Sequence, residues 1–273
     1  ISRSVFADRS SMTYGEFLAL FLLPPLLLLG VWSWRTRGKF PPSFHTRPLS
    51  TVLGFLVGVA VLYTTPWDNY LVAKGIWSYP KERVWGIRLG WVPLEEYLFF
   101  VLQTLLTGLW VVNISRHENR DDSLRLRSSV SMGTRWGVAF GIGSLLSTAW
   151  LFWGASTWER ATYMSLILGW ALPVVLGQWL LGGAVYLRHW KIVCGGVSLP
   201  TLYLWVADTL AIRQGIWHIT ESTALGIHLP GGLPVEEAVF FFLTNLMVVL
   251  GVLLVYAFPD GSRFSYLWRR WRK

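Results

Sequence analysis

The chain is 273 residues long, 53% hydrophobic and only 14% charged, with a mean hydropathy of +0.45, values that exclude an ordinary soluble domain. A single cysteine, Cys194, excludes an intrachain disulfide and a thiolate metal cluster. The formal charge of +9 does not point to nucleic acid, because the basic residues gather in short segments beside apolar runs, as in polytopic membrane proteins.

A helix needs about 20 mostly apolar residues to cross the hydrocarbon. In chain order that template fits near residues 14–33, 49–66, 92–114, 136–153, 161–183, 191–211 and 234–257. The expectation is an all-α polytopic membrane protein with seven transmembrane helices. No cleavage-site pattern follows the first apolar run, which is read as a retained helix rather than a signal peptide. Lys and Arg total 16 in the connections after spans 1, 3 and 5 and in the tail, against 8 on the opposite side. The positive-inside rule then places the N-terminus outside the cell membrane and the tail, with Arg263, Arg269, Arg270, Arg272 and Lys273, in the cytoplasm beside anionic lipid.

The third span opens with Pro93-Leu94-Glu95-Glu96-Tyr97-Leu98-Phe99-Phe100, and the seventh with Pro234-Val235-Glu236-Glu237-Ala238-Val239-Phe240-Phe241. Upstream, Asp68, Gly75, Ile76, Trp77, Gly86, Ile87 and Leu89 recur 140 positions later as Asp208, Gly215, Ile216, Trp217, Gly226, Ile227 and Leu229, and one inserted residue shifts the later offset to 141. A pattern of this length is a duplication. It divides the chain into a first repeat at 1–115 (helices 1–3), a cytoplasmic loop and linker helix at 116–156, and a second repeat at 157–273 with the basic tail. Three spans reverse the direction of the chain and the linker span restores it, so the two three-helix repeats are expected to be parallel, with both acidic motifs on one membrane side.

An ionisable side chain at membrane depth costs at least ~2.5 kcal/mol and is by default a functional candidate. Acids at a helix start can simply complement the dipole and bond free N–H groups, but pairs in both copies, each followed by aromatic rings, exceed what capping requires. Pro93 and Pro234 are expected at the first helical position, starting each helix sharply. Neighbouring residues on a helix point about 100° apart, so one Glu of each pair can face the bundle and the other the loop. A carboxyl group removed from water keeps its proton more readily, and a second acid nearby reinforces this. Glu95, Glu96, Glu236 and Glu237 are therefore candidate acids and bases sharing a proton across the repeat interface.

Asp68 and Asp208, taken to close the second helix of each repeat, read best as structural partners of Lys74, Arg83 or Arg213 in the adjoining loops. The chain carries 18 Trp, 15 Phe and 10 Tyr, most of them suited to interfacial belts. Those near the acids, Trp67, Trp77, Trp85, Trp91, Tyr97, Phe99, Phe100, Trp217, Phe240 and Phe241, are candidates to line a pocket whose ring faces stabilise a developing cation. His117, His189, His218 and His228 lack ligand spacing, and no glycine-rich dinucleotide pattern follows a strand, so no metal or cofactor is expected.

Pro66-Trp67-Asp68-Asn69, Gly75-Ile76-Trp77 and the two Pro-x-Glu-Glu motifs resemble the integral-membrane lycopene cyclases of the heterodimeric type, here with two subunits fused, as also in the cyclase half of fungal bifunctional enzymes. The resemblance spans essentially the whole chain. It implies cofactor-independent cyclisation of the ψ ends of lycopene to β-ionone rings, through γ-carotene to β-carotene, with Glu95, Glu96, Glu236 and Glu237 as catalytic residues. It also implies lycopene and related carotenoids, membrane lipid and other carotenoid-pathway enzymes as partners, and no nucleic acid. The second repeat departs where Asn69, Lys74 and Arg88 become Thr209, Gln214 and His228, so the halves are not equivalent. The main rival is a proton-coupled transporter with the Glu pairs as proton sites. A retinal photoreceptor lacks its lysine between 234 and 257, and isolated Asp68 and Asp208 do not suit a diphosphate–Mg²⁺ site.

Overall fold

A computed structural model describes residues 12–40, 44, 47–116 and 158–257. Six helices among the described residues are long and apolar enough to cross a membrane. They are α1 (Tyr14–Lys39), α2 (Leu49–Ala73), α3 (Leu94–Ser115), α4 (Thr162–Arg188), α5 (Trp190–Arg213) and α6 (Val235–Ala257). The span expected at 136–153 lies outside the described residues, as do nearly all of the 116–156 linker and the tail beyond Ala257.

The bundle is built around α3 and α6. α1 and α2 pack on α3, α4 and α5 pack on α6, and the central pair touch each other, with α2 reaching α6 and α5 reaching α3. More than half of the apolar window of each central helix is buried, 61% and 56%, against 22% for α1 and 17% for α2. The outer helices instead turn Leu20, Leu27, Leu28 and Leu62 outward, as lipid contact allows. At the α3–α6 seam the Gln103 amide donates to Thr244 Oγ1 at 2.7 Å and the Thr107 hydroxyl to Asn245 Oδ1 at 2.6 Å, polar links of the kind that register helices where apolar contact alone does not discriminate.

Proline inside a membrane helix leaves a carbonyl that another group must satisfy. In α1, a π-helical turn at Leu18–Leu22 precedes Pro24 and Pro25, and the hydroxyl of Tyr203 on α5 donates to Phe21 O at 2.6 Å. In α4, where Pro173 takes the donor from Gly169 O, the hydroxyl of Tyr63 on α2 donates to the next carbonyl, Trp170 O, at 2.9 Å. Side chains thus tie α5 to α1 and α2 to α4 near these two proline sites.

The Gly-Ile-Trp triplets are helix stops. After α2, Gly75 adopts φ +70°, its N–H bonds to Val72 O, and the Ile76 N–H reaches back to Leu71 O. After α5, Gly215 (φ +66°) and Ile216 repeat both bonds to Ile212 O and Ala211 O. This is a Schellman termination, with the following isoleucine buried. The helices therefore run past Asp68 and Asp208, which lie inside α2 and α5 rather than closing them; the stop signal is the glycine.

Beyond each stop the chain forms short strands. β1 (Trp77–Ser78) pairs antiparallel with β4 (His218–Ile219), Trp77 opposite Ile219 and Ser78 opposite His218. β2 (Arg88–Leu89) folds onto β3 (Val92–Pro93), and His228 bridges Pro234 in the corresponding place. Pro93 is consequently the extended N-cap residue of α3 (φ −69°, ψ 152°), one position before the first helical turn where it was expected. An alanine in the left-handed region costs about 1–2 kcal/mol. Gly75→Ala and Gly215→Ala should each lower stability by that amount in thermal unfolding of the detergent-solubilised protein; unchanged melting would contradict the helix-stop role.

Candidate functional site

The strands aim the loops at the helix starts. Ile87 O accepts the Leu94 N–H and Ile227 O accepts the Val235 N–H, both at 2.9 Å. Each fold-back closes onto the first glutamate of its motif: the Trp85 N–H donates to Glu95 Oε1, and the Leu225 N–H donates to Glu236 Oε1 at 2.6 Å. Glu95 and Glu236 are fully buried. They act as clamps between loop backbone and helix.

One residue on, the second glutamates point elsewhere. Glu96 Oε2 accepts the hydroxyls of Tyr14 at 2.6 Å and Tyr79 at 2.9 Å, and Glu237 Oε1 accepts the Tyr163 hydroxyl at 2.5 Å. Both carboxyl groups line one chamber with Asp208, Tyr14, Tyr79, Trp77, Trp217, Phe99, Phe240 and Phe241. Its volume is about 20 Å³, room for one or two waters. Burial, then the charge of Glu96, pushes the phenol of the loop residue Tyr79 well above its usual range, so it remains an O–H donor at physiological pH.

The loop tryptophans cross over. Trp217 packs against Tyr14 at 5.0 Å and Phe17 at 5.4 Å on α1, while Trp77 meets Tyr163 of α4 at 5.8 Å and Phe240 at 5.8 Å, both edge-on. Phe99 and Phe241 meet across the central seam at 5.9 Å. One chamber is thus assembled from both halves of the chain.

Several expected residues lie elsewhere. Trp85 and Trp91 are more than half exposed; the Trp85 ring covers Gly15 of α1, and the Trp91 N–H donates to Asn69 Oδ1 at 2.7 Å. Tyr97 braces a loop, donating to Leu89 O at 2.8 Å and accepting from the Asn69 amide at 3.0 Å. Phe100 lines a neighbouring apolar cavity, and Trp67 stacks behind Phe240 at 5.8 Å. The cationic partners expected for Asp68 and Asp208 are engaged otherwise: Arg83 with Met12 O, Arg213 with Gly231 O, and Lys74 over the Tyr70 ring. Among the described residues neither aspartate has a hydrogen bond of good geometry, and both are buried; the Trp217 indole stands beside Asp208. No three His, Cys, Asp or Glu side chains gather as metal ligands among the described residues.

Tyr14, Tyr79, Tyr163 and Trp170 were not singled out from the sequence. A signal for two of them exists: Thr13-Tyr14, eight residues, Leu23-Pro24 recurs as Thr162-Tyr163, eight residues, Leu172-Pro173. Its offset of 149 differs from that of the later segments.

Fold and chamber together define a helical membrane protein with carboxyl groups enclosed by aromatic rings. Residues 11–113 and 160–256 match the lycopene cyclase family, and the chain belongs to that family. It is 37% identical over 261 residues to the lycopene beta-cyclase of Halobacterium salinarum strain R1, covering 95% of this chain and 99% of the relative, and equally so to that of strain NRC-1. It is 40% identical over 252 residues to the bifunctional lycopene cyclase/phytoene synthase of Phaeosphaeria nodorum, covering 88% of this chain and 41% of that protein. No solved structure matches the chain.

A buried N–H left without its acceptor costs about 1–3 kcal/mol. Glu236→Ala should therefore lower thermal stability by that amount and open the loop between α5 and α6 to limited proteolysis. Wild-type melting and cleavage patterns would contradict the clamp.

Proposed function

We propose that this chain is a lycopene beta-cyclase that closes the ψ ends of lycopene to β-ionone rings by acid–base chemistry of the carboxyl groups that line the shared chamber. The observation that carries the reading is the convergence of Glu96, Glu237 and Asp208 on one small, aromatic-walled space. Such walls exclude water and face a carbocation with ring electrons. The relatives named above are cyclases, which leaves the transporter reading without support.

The chemistry balances without a redox partner. A carboxylic acid gives its proton to the less substituted carbon of the terminal double bond, leaving a tertiary cation. The next double bond in reach attacks it, forming the ring carbon–carbon bond and moving the charge into the ring. A carboxylate removes an adjacent ring proton, and the electron pair of that C–H bond becomes the ring double bond. One proton enters and one leaves.

We assign the donor to Glu237 and the acceptor to Glu96. Glu96 accepts two phenol O–H groups on one oxygen and Glu237 accepts one, and donors aimed at a carboxylate suit the group that must act as base. Asp208, lining the same space, is the natural relay returning the proton from Glu96 to Glu237. Glu95 and Glu236 hold the loops, while Trp77, Trp217, Phe99, Phe240 and Phe241 contribute the walls. Pro93 and Pro234 end the strand pairing that sets both helix starts.

The same reading includes seven membrane helices, two parallel three-helix repeats at 1–115 and 157–273 joined by a linker at 116–156, and an outside N-terminus with a cytoplasmic tail. Supporting the parallel repeat is the pairing of β1 with β4, which sets the equivalent residues Ser78 and His218 opposite each other, as loops on the same membrane side can do. Outward-facing leucines support contact with lipid. General acid–base groups contribute about 10²–10⁴-fold. Glu96→Gln and Glu237→Gln should each cut conversion by that factor in lycopene-producing cells, leaving red pigment on extraction from membranes that still contain the protein. Full β-carotene formation by both variants would refute the assignment.

A further inference from the structure

A second cavity, of about 100 Å³, adjoins the acid chamber. Phe240 lines both. The larger one is framed by α2, α3, α4 and α6, with Val59, Ala60, Val174 and Met247 among its apolar walls. Its outer limit is the α2–α4 seam, where Val59 and Tyr63 are both more than 40% exposed and so face the bilayer. Two side-chain bonds cross that seam: the Tyr63 hydroxyl to Trp170 O, and the Trp67 indole N–H to Leu166 O at 3.1 Å.

The rings along this path form a ladder. Tyr63 stacks on Trp170 (5.7 Å, 23°), Trp170 on Trp67 (4.6 Å, 20°), and both Trp170 and Trp67 on Phe240 (5.9 Å, 25°; 5.8 Å, 7°). The ladder leads from the lipid face to the partition of the acid chamber. Parallel aromatic faces suit a flat, rigid conjugated chain better than a saturated acyl chain, which gains only dispersion from them.

We propose that this cavity seats the polyene stem of the linear carotenoid, admitted sideways from the bilayer through the α2–α4 seam, with the Tyr63–Trp170 bond as its latch and the Phe240 ring as the partition the reacting end must pass. The inference rests on the cyclase reading, because a chamber holding one or two waters cannot hold a long hydrocarbon and needs an adjoining apolar space. A cavity of about 100 Å³ receives only a short stretch of the chain; the remainder extends through the seam into lipid.

Lycopene is achiral, so circular dichroism in its visible band arises only when a chiral site holds it. The double variant Glu96→Gln/Glu237→Gln, unable to cyclise, should show that induced signal with lycopene in lipid nanodiscs. Adding Ala60→Phe or, from the opposite wall, Val174→Phe should abolish it. In the chain with its acids intact, each filling variant should lower cyclisation by at least an order of magnitude while far-ultraviolet dichroism stays unchanged, and Leu62→Phe on the outward face of α2 should alter neither reading. Signal and cyclisation that survive in whichever filling variant folds would overturn the inference. So would an absent signal in the double variant while the wild-type chain cyclises, which leaves the function standing and places the stem elsewhere. A signal that the filling variants abolish, beside a wild-type chain that never cyclises, keeps the polyene site and refutes the cyclase reading. Equal displacement of lycopene by a saturated acyl chain would make the cavity a lipid site and overturn the proposal.

Discussion

Carboxyl groups shut away from bulk water need donors that cannot drift off, and the hydroxyls of Tyr14, Tyr79 and Tyr163 on Glu96 and Glu237 meet that need. A hydrogen bond to a charged group contributes about 1.5–3 kcal/mol, and here the donors are side chains fixed by the fold. Much of the architecture follows from keeping those donors in place. Tyr14 and Tyr163 stand at the beginnings of α1 and α4, each held against the start of its central helix. Tyr79 comes from the loop that β1 and β4 tie down, and the first glutamate of each motif fastens the following fold-back. The two glutamates of a pair therefore divide the work, one anchoring the loop and its neighbour facing the chamber.

The duplication brings both halves of the chain to the chamber, and its imperfections make the two sides unequal. Equivalent helices bring equivalent acids to one place, and equivalent tryptophans cross to the opposite half. Yet the position of Tyr79 is Ile219 in the second half, and that of Tyr97 is Ala238. The acids thus sit in unequal surroundings, and the proposed division into donor and acceptor rests on that inequality. A perfectly symmetric pair would offer two identical carboxyl groups and no gradient between them.

Much of this was legible in the residues. Apolar length located all six described spans, and the doubled Pro-x-Glu-Glu motif, with neighbouring residues splayed on a helix, anticipated that one acid would face the loop and the other the interior. The ends of α2 and α5 lie beyond the expected ones because Asp68 and Asp208 read as closing those helices, whereas the left-handed glycines at 75 and 215 are the physical stops. Asp68 and Asp208 were expected at loop cations because their distance from the helix end was underestimated. Proximity in sequence misplaced Trp91, which sits in the turn between β2 and β3, and Trp85, whose half-exposed ring lies over Gly15 of α1 instead of in the chamber. Tyr14 and Tyr163 escaped notice because the first helices repeat at a different spacing from the later segments, and hydrogen bonds spanning 82 and 74 residues leave no local trace.

The central claim is that an enclosed carboxylic acid of the protein, whose proton equilibrates with water, supplies the hydrogen that starts ring closure. Cyclisation of lycopene in membranes equilibrated with deuterium oxide, followed by mass spectrometry of the carotenoids, tests it most directly. The account predicts one non-exchangeable deuterium retained in each ring formed, so that the bicyclic product carries twice the label of the monocyclic one. Rings closed at the normal rate without deuterium would mean that the hydrogen comes from the substrate itself, and would contradict the account.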